Sequence, residues 1–363
     1  LREREAEEAR QQGRKLLDEG LVGVLLVAGG QGSRLGFDGP KGKFPAGPVS
    51  GMSLFEWHAA RLQAARQRHG AVAPWYVMTS ASNHAETLEY FQEHDWFGLG
   101  EENVSLFQQA MLPALDTEGR ILLRERGALF LAPNGHGGTI DAVARSGALA
   151  DASKRGVEYL SYFQVDNPLA PPLDPLFLGL HALEGAQMSS KVVDKRDSGE
   201  KVGVIGRIDG KLGCIEYSDL SDELREARDE GGRLLFRAGN IAMHVFERAF
   251  LEELTVEGLD LPWHLARKKM KVVGADGQLE ERDGVKFETF VFDALGRAQR
   301  SITLEVDRGQ EFSPIKNAEG SDSPSSSRRD LATLFAGWLE GLDAPEAPAA
   351  EAGHPALEID PRF

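Results

Sequence analysis

The fold of this chain is decided by the stretch Leu26-Val27-Ala28-Gly29-Gly30-Gln31-Gly32-Ser33-Arg34-Leu35-Gly36. It continues an apolar run, residues 22–27, that has the length and composition of a buried strand. Glycines at positions 29, 30 and 32 let the backbone approach a ligand closely and turn its amide groups toward it. The stretch therefore predicts a strand that ends in a loop suited to a phosphate or a nucleotide.

Two common nucleotide-binding motifs do not fit this loop. The dinucleotide fingerprint requires Gly-x-Gly-x-x-Gly, but after Gly30 and Gly32 the third glycine comes one place late, at Gly36. The mononucleotide P-loop requires Gly-Lys-Ser/Thr, whereas Phe44 follows Gly42-Lys43. The late third glycine argues against one possible class of protein, the nicotinamide-dependent oxidoreductases.

Cations follow the loop closely, at Arg34, Lys41 and Lys43. A guanidinium and ammonium groups placed beside a glycine loop can neutralise a polyphosphate. The chain as a whole has 41 Lys and Arg against 57 Asp and Glu, a formal net charge of −16. Such an acidic protein should not bind nucleic acid through bulk charge, so phosphate binding must rest on a few local cations.

Strand and helix patterns alternate along the chain, which predicts a parallel sheet with crossover helices. Two strand-like segments, residues 202–208 and 212–217, flank Asp209-Gly210 and predict an inserted β-hairpin. Residues 262–269 and 287–297 have the spacing of helices. We expect an N-terminal helical arm over residues 1–20, a catalytic domain over 21–320, and a C-terminal segment over 321–363 with a mobile tail at 344–353.

Composition excludes several classes of protein. No apolar run approaches the length of about 20 residues that a membrane span requires. The single cysteine, Cys214, excludes an internal disulfide framework and a cysteine-based zinc site. The start of the chain has no secretory signal pattern, so a cytoplasmic location is the expectation. The sequence does not indicate an oligomeric state.

The glycine stretch, with Pro40-Lys41-Gly42, resembles the signature loop of UTP:sugar-1-phosphate uridylyltransferases, and most closely the eukaryotic-type UDP-N-acetylglucosamine pyrophosphorylases. Further matches to that family follow in its order along the chain: Trp75-Tyr76-Val77-Met78-Thr79-Ser80, Phe107-Gln108-Gln109, Met111-Leu112-Pro113, Ala132-Pro133, Gly135-His136-Gly137-Gly138, Val165-Asp166-Asn167, Cys214-Ile215-Glu216-Tyr217-Ser218, Ala238-Gly239-Asn240-Ile241-Ala242, Lys286, Phe290-Val291-Phe292-Asp293 and Glu311-Phe312-Ser313-Pro314-Ile315-Lys316-Asn317. Together the matches span residues 21 to about 330.

The resemblance implies an α/β fold with a Rossmann-like nucleotidyltransferase core, a mixed, mostly parallel sheet and a small C-terminal extension. It implies UTP and a sugar 1-phosphate as substrates, UDP-sugar and pyrophosphate as products, and Mg²⁺ as cofactor. Arg34, Lys41 and Lys316 would be the catalytic cations. UTP would be bound by Val27, Ala28, Gly29, Gly30, Gln109, Gly135, Asp166 and Lys286, with Asp166 also at the metal. His136, Glu216 and Asn240 would line the sugar side.

One residue departs from the branch that the other motifs favour. His136 stands where the acetylhexosamine branch has Asn, and a histidine at this place is familiar from UDP-glucose and broad-specificity UDP-sugar pyrophosphorylases. N-acetylglucosamine 1-phosphate is the expected sugar substrate, with a hexose 1-phosphate as the alternative. A non-catalytic nucleotide-sugar binding protein is a more distant alternative, although Lys41, Asp166 and Lys316 are all present.

Overall fold

The computed structural model describes residues 1–208, 210–274, 276–340 and 357–362. Its α-helices are α1 Glu3–Asp18, α2 Leu54–His69, α3 His84–Glu93, α4 Gly138–Arg145, α5 Ala148–Lys154, α6 Pro175–Leu183, α7 Asp222–Glu226, α8 Arg248–Thr255, α9 Arg308–Glu311 and α10 Pro324–Leu339. Its strands are β1 Val22–Val27, β2 Trp75–Thr79, β3 Val104–Gln108, β4 Met111–Pro113, β5 Leu115–Asp116, β6 Leu123–Glu125, β7 Ala128–Leu129, β8 Leu131–Pro133, β9 Tyr159–Gln164, β10 Met188–Asp194, β11 Val204–Ile208, β12 Lys211–Ile215, β13 Ala238–Glu247, β14 His264–Val273, β15 Leu279–Glu288 and β16 Ser301–Glu305.

The centre of the large sheet is parallel and fully buried. β1 lies between β2 and β9, and β3 extends the sheet beyond β2, with all of these neighbours parallel. Val24, Leu25 and Leu26 are at most 1% exposed because helices cover both faces, as expected for an apolar parallel strand. The carboxyl ends of β1, β2 and β9 therefore meet at one edge, where a ligand binds in open α/β sheets.

The other half of the sheet is mixed. β13 pairs antiparallel with β9, β10 and β11, and β16 runs parallel to β10. β11 and β12 form the predicted hairpin, which joins the sheet through Val204 opposite Gly239. The predicted α/β fold, with its mixed, mostly parallel central sheet and inserted hairpin, is confirmed.

The predicted helix over residues 262–269 is wrong. These residues enter β14, which pairs antiparallel with β15 over ten residues. The predicted helix over residues 287–297 is also wrong at its start, since β15 continues to Glu288 and only Val291–Gly296 forms a 3₁₀ helix. Met270 and Val272 are buried against the segment that carries β5 and β6, so tertiary packing overrides local helix propensity here.

The N-terminal helix is present as α1 and packs against α6. The two helices approach so closely that a Cβ on Gly13 would lie 1.9 Å from the Pro175 carbonyl oxygen, and one on Gly179 would lie 1.7 Å from the Ala9 carbonyl oxygen. The division of the chain near residues 20 and 320 stays a prediction, and the predicted tail at 344–353 lies outside the described residues. Within the described part of the chain, no helix is both long and apolar enough to cross a membrane.

Candidate active site

The glycine loop is fixed by a buried amide, the side chain of Asn83. Its Nδ2 donates to the carbonyl oxygens of Ala28 at 2.9 Å and Gly30 at 3.2 Å. Its Oδ1 accepts the backbone N–H of Ser80 at 2.8 Å. Asn83 is the N-cap residue of α3, but its side chain makes no capping bond to that helix. It instead links the loops after β1 and β2.

Different glycines of this region serve different purposes. A Cβ on Gly32 would lie 2.7 Å from the Phe37 ring, and one on Gly42 would lie 2.1 Å from the Phe55 ring, so internal packing requires both glycines. A Cβ on Gly30 would meet only the Lys41 side chain, at 4.0 Å. Packing within the described chain does not require a glycine at position 30, whereas a closely bound ligand would.

Two lysines of one 3₁₀ helix, Lys41–Lys43, point to different carboxylates. Lys41 Nζ lies 3.2 Å from Asp166 Oδ2, and both side chains are largely buried. Lys43 Nζ lies 2.7 Å from Glu86 Oε1 in a more exposed pair. Because the Lys41 N–H donates to the Gly30 carbonyl oxygen at 3.0 Å, the Lys41–Asp166 pair is attached directly to the glycine loop.

A pocket at the end of β9 brings together three predicted site residues, Asp166, Asn240 and Lys316. It is lined by Phe163, Gln164, Asp166, Asn167, Ala170, Asn240, Ile241, Ala242, Met243, Phe312 and Lys316. Asn167 fixes the segment that carries Lys316, since its Nδ2 donates to the Glu311 carbonyl oxygen and its Oδ1 accepts the Ser313 N–H. The predicted carboxylate, amide and ammonium thus face one cavity.

A buried group of three charged residues holds the start of the segment that carries Lys316. Lys191 is fully buried, and its Nζ donates to Asp174 Oδ2 and Glu311 Oε2, each at 2.6 Å. A buried ammonium requires such pairing because the desolvation of an unpaired charge is very costly. The triad ties α6, β10 and α9 together just before Lys316.

Two of the predicted UTP-binding residues, Gln109 and Gly135, lie outside this pocket. Gln109 is buried, and its side chain would be 3.6 Å from a Cβ on Gly29. Gly135 has a φ of +82°, and a Cβ there would lie 2.4 Å from the Thr289 carbonyl oxygen. A side chain at position 135 is therefore excluded by both backbone conformation and space.

His136 is held in one orientation by the chain itself. Its Nδ1 accepts the Val291 N–H at 3.2 Å, so the proton of the neutral ring is on Nε2. The ring stacks on Phe290 with centroids 5.1 Å apart and lies beside Phe292. Burial, together with the charge of His264 nearby, lowers the pKa of His136 to about 4. His136 is therefore a neutral, oriented ring at neutral pH.

The remaining predicted sugar-side residues lie on β13 and just after β12. Asn240 Oδ1 accepts the Ala242 N–H at 3.0 Å, and its Nδ2 faces Cys214 Sγ at 3.8 Å. Ala242, which lines the same pocket, has a left-handed φ of +56°. Burial raises the pKa of Glu216, and the charge of Asp219 adds to that increase.

His264 is a further residue near His136, since the rings of both contact Phe290. In the structure its Nε2 lies 2.9 Å from Asp293 Oδ2, and its ring lies 4.3 Å from the Phe290 ring, centroid to centroid. Burial raises the pKa of Asp293, although the hydrogen bond from His264 opposes this. No spacing in the sequence signals this pair, because residues 264 and 293 are brought together only by the β14–β15 hairpin.

Two predicted residues stand apart from the others. Arg34 is exposed and forms no ion pair within the described chain, which leaves it available to an incoming anion. Lys286 lies on β15 with its Nζ 5.9 Å from the centroid of the Phe130 ring, and burial lowers its pKa. Neither shares a hydrogen bond or ion pair with the other predicted site residues that the structure describes.

The described residues contain no group of three or more His, Cys, Asp or Glu side chains that could hold a metal ion by themselves. Asp166 is a single carboxylate at the pocket. This donor set fits Mg²⁺ only if substrate phosphates and water supply most of the ligands, which is how Mg²⁺ is usually bound with nucleotides.

Comparison with known proteins agrees with the resemblance seen in the motifs. The human UDP-N-acetylhexosamine pyrophosphorylase-like protein 1 is 42% identical over 330 residues, 87% of this chain and 65% of the human protein. The UDP-N-acetylglucosamine pyrophosphorylase of Saccharomyces cerevisiae is 39% identical over 349 residues, 92% of this chain and 72% of the yeast protein. This chain thus spans about two thirds of the length of these curated relatives.

The fold has a close counterpart among solved structures. A protein from Entamoeba histolytica, proposed to be a UDP-N-acetylglucosamine pyrophosphorylase, superimposes with a TM-score of 0.88 at 32% identity, covering 98% of this chain and 90% of the other. The family model described as UTP--glucose-1-phosphate uridylyltransferase matches residues 2–327. Because that match covers most of its length, the chain belongs to the UTP--glucose-1-phosphate uridylyltransferase family.

Proposed function

We propose that this chain transfers the uridylyl group of UTP to a sugar 1-phosphate, forming UDP-sugar and pyrophosphate. The observation that carries the proposal is the convergence of the glycine loop, the Lys41–Asp166 pair and Lys316 at the carboxyl ends of β1 and β9. A nucleotide in the loop would have its phosphates next to these charges. The catalytic region is proposed to extend over residues 21–320, in a cytoplasmic protein.

N-acetylglucosamine 1-phosphate is the proposed sugar substrate. The relatives described above are named UDP-N-acetylhexosamine pyrophosphorylase-like protein 1, at 42% identity, and UDP-N-acetylglucosamine pyrophosphorylase, at 39% identity. The presence of His136 favours a hexose 1-phosphate as a second substrate. Its ring fills space beside Phe290 that the smaller Asn of the acetylhexosamine branch would leave open. A ring that only occupies space discriminates modestly between sugars, by about 10–200-fold.

The proposed reaction is attack by a phosphate oxygen of the sugar 1-phosphate on the α-phosphorus of UTP, with pyrophosphate leaving in line. Both reactants are anions, so the enzyme must mainly position them and neutralise charge. Arg34 and Lys41 are suited to the leaving pyrophosphate, and Lys316 to the attacking phosphate. The nucleophile is already ionised at neutral pH, so no general base is required.

Mg²⁺ is the proposed cofactor, and when bound it would neutralise phosphate charge at the reacting centre. Asp166 is the residue that would hold it. Asp166 Oδ2 faces Lys41 at 3.2 Å, so this carboxylate is already oriented toward the side on which the phosphates are proposed to lie. Gln109 and Gly135 are proposed to select uracil, and Glu216 and Asn240 to contact the sugar.

The proposal is tested by pyrophosphate release from UTP, Mg²⁺ and N-acetylglucosamine 1-phosphate, with glucose 1-phosphate in parallel and with ATP, GTP and CTP as nucleotide controls. We expect release that depends on both UTP and the sugar phosphate, with the acetylated sugar preferred. Tight binding of UDP-sugar with no pyrophosphate release would instead support a non-catalytic nucleotide-sugar binding protein. A co-purifying nicotinamide dinucleotide would support the oxidoreductase class.

A further inference from the structure

The β14–β15 hairpin presents two lysines on one face. Ala266 lies opposite Lys286, and Lys268 lies opposite Gly284, so Lys268 and Lys286 are diagonal neighbours on the same side of the pair. Diagonal positions in an antiparallel pair are about 7–8 Å apart, within reach of a common ligand for long side chains. The same face continues to His264, which lies opposite Glu288.

On the opposite face of the hairpin, the lysine is paired with carboxylates. Lys269 Nζ lies 3.7 Å from both Glu281 Oε1 and Asp283 Oδ1, so this ammonium is neutralised by neighbouring carboxylates. Neither Lys268 nor Lys286 forms an ion pair with any residue that the structure describes. Burial and then the charge of Lys268 lower the pKa of Lys286, and the nearby charge of Glu288 opposes this decrease.

The position of this face relates the lysines to the candidate active site. A Cβ on Gly135 would lie 3.0 Å from the Cβ of Glu288, two residues along the strand from Lys286. The next residue, Thr289, donates its N–H to the Asn134 carbonyl oxygen at 2.8 Å. The end of β15 is therefore hydrogen-bonded to the loop that is proposed to bind uracil. Lys286 and then Lys268 lie further along the hairpin from that loop.

Two neighbouring ammoniums on one face favour the binding of an anion, and Glu288, the carboxylate on that face, forms an ion pair with neither lysine among the described residues. The Phe130 ring, with its centroid 5.9 Å from Lys286 Nζ, attracts that ammonium but cannot neutralise it. A nucleotide whose base lies at Gly135 brings such an anion, its phosphate chain, into this neighbourhood.

We propose that Lys268 acts together with Lys286 as a second ammonium that binds the phosphate chain of the nucleotide. The inference rests on the proposed function, because UTP and UDP-sugar supply the anion. Lys268 would donate to a phosphate oxygen adjacent to the one bound by Lys286, so that the two charges share one chain. Lys269, next in sequence, would take no part.

The test compares Lys268→Ala, Lys268→Arg and the matched control Lys269→Ala, each of which is a change on an exposed side chain of the same strand. We expect Lys268→Ala to raise both the KM for UTP and the calorimetric Kd for UTP about 5–10-fold at low ionic strength, with a smaller effect in high salt. Lys268→Arg, which keeps the charge, should remain within about twofold of the parent, as should Lys269→Ala.

Equal UTP affinity for Lys268→Ala and Lys269→Ala, with Lys286→Ala impaired, would overturn the inference, because Lys286 would then bind the nucleotide alone. A loss in Lys268→Ala that does not change with salt, or that Lys268→Arg does not restore, would also contradict it, since the effect would then be structural. Failure of the parent protein to form UDP-sugar would contradict the proposed function instead, and UTP calorimetry would still test the lysine pair.

Discussion

Replacement of Lys41 by Met should abolish most activity while the equivalent change two residues later should not. Lys41 and Lys43 lie in the same 3₁₀ helix, and each loses one positive charge and one ion pair on substitution. The Lys41 and Asp166 side chains are only 17% and 12% exposed, against 27% and 41% for Lys43 and Glu86. Loss of one buried charge-stabilising contact costs about 3 kcal/mol, or ~10²-fold in kcat. An exposed pair contributes about 0–1 kcal/mol.

The assay is steady-state pyrophosphate release at saturating UTP and sugar 1-phosphate, with thermal melting of each variant as a control for folding. Lys41→Met should lower kcat by about two orders of magnitude, and Lys43→Met should remain within about fivefold of the parent. Lys41→Met also leaves the Asp166 carboxylate without its partner, which should cost about 1–3 kcal/mol of folding stability. Equal activity of the two variants would refute the assignment of Lys41 to the reacting phosphates.

Three further substitutions test separate parts of the site. Asp166→Asn should shift the Mg²⁺ dependence to higher concentration, because a neutral amide is a poorer ligand; an activation curve that overlays the parent's would make Asp166 a structural turn residue. Asn83→Asp should weaken UTP binding by about tenfold or more, since a carboxylate would face the Ala28 and Gly30 carbonyl oxygens that now accept its N–H groups. Asn103→Asp, which removes a similar bond to the Leu99 carbonyl oxygen at the start of β3, should leave UTP binding unchanged. His136→Asn should shift the ratio of kcat/KM toward the acetylated sugar, and an unchanged ratio would show that position 136 does not set sugar preference.

The sequence was most informative where chemistry depends on local residue patterns. The strand over Val22–Val27, the glycine loop after it and the placement of Asp166 at the end of β9 followed from apolar runs and turn residues. Such local patterns identify residues whose positions depend on neighbours in sequence, including those just after the end of a strand. The sheet centre was therefore predictable from local patterns, whereas the pocket residues Asp166, Asn240 and Lys316 were predicted through the resemblance to the family.

Residues whose partners are distant in sequence were not predictable in the same way. Asn83 is the N-cap residue of α3, but its side chain bonds residues 28 and 30, more than fifty positions away, which no local pattern indicates. The stretch 262–269 contains good helix formers, yet it enters β14 because this strand pairs with β15 over ten residues and buries Met270 and Val272 further along. The His264–Asp293 pair depends on the same hairpin.

His136 illustrates a mixed outcome. Its sequence position predicted a contact on the sugar side, and the structure places it beside Phe290 and Phe292 next to Gly135. What the sequence did not reveal is that the Val291 N–H occupies its Nδ1, which leaves only Nε2 for any ligand. Its role in sugar binding stays a prediction.

The central claim is that a phosphate oxygen of the sugar 1-phosphate attacks the α-phosphorus of UTP. The most direct test uses N-acetylglucosamine 1-phosphate with ¹⁸O in all its phosphate oxygens, unlabelled UTP and Mg²⁺, and measures the mass of both products. The account predicts UDP-N-acetylglucosamine that carries all of the label, together with unlabelled pyrophosphate. Label in the pyrophosphate, loss of label from the UDP-sugar, or no UDP-sugar at all would contradict it.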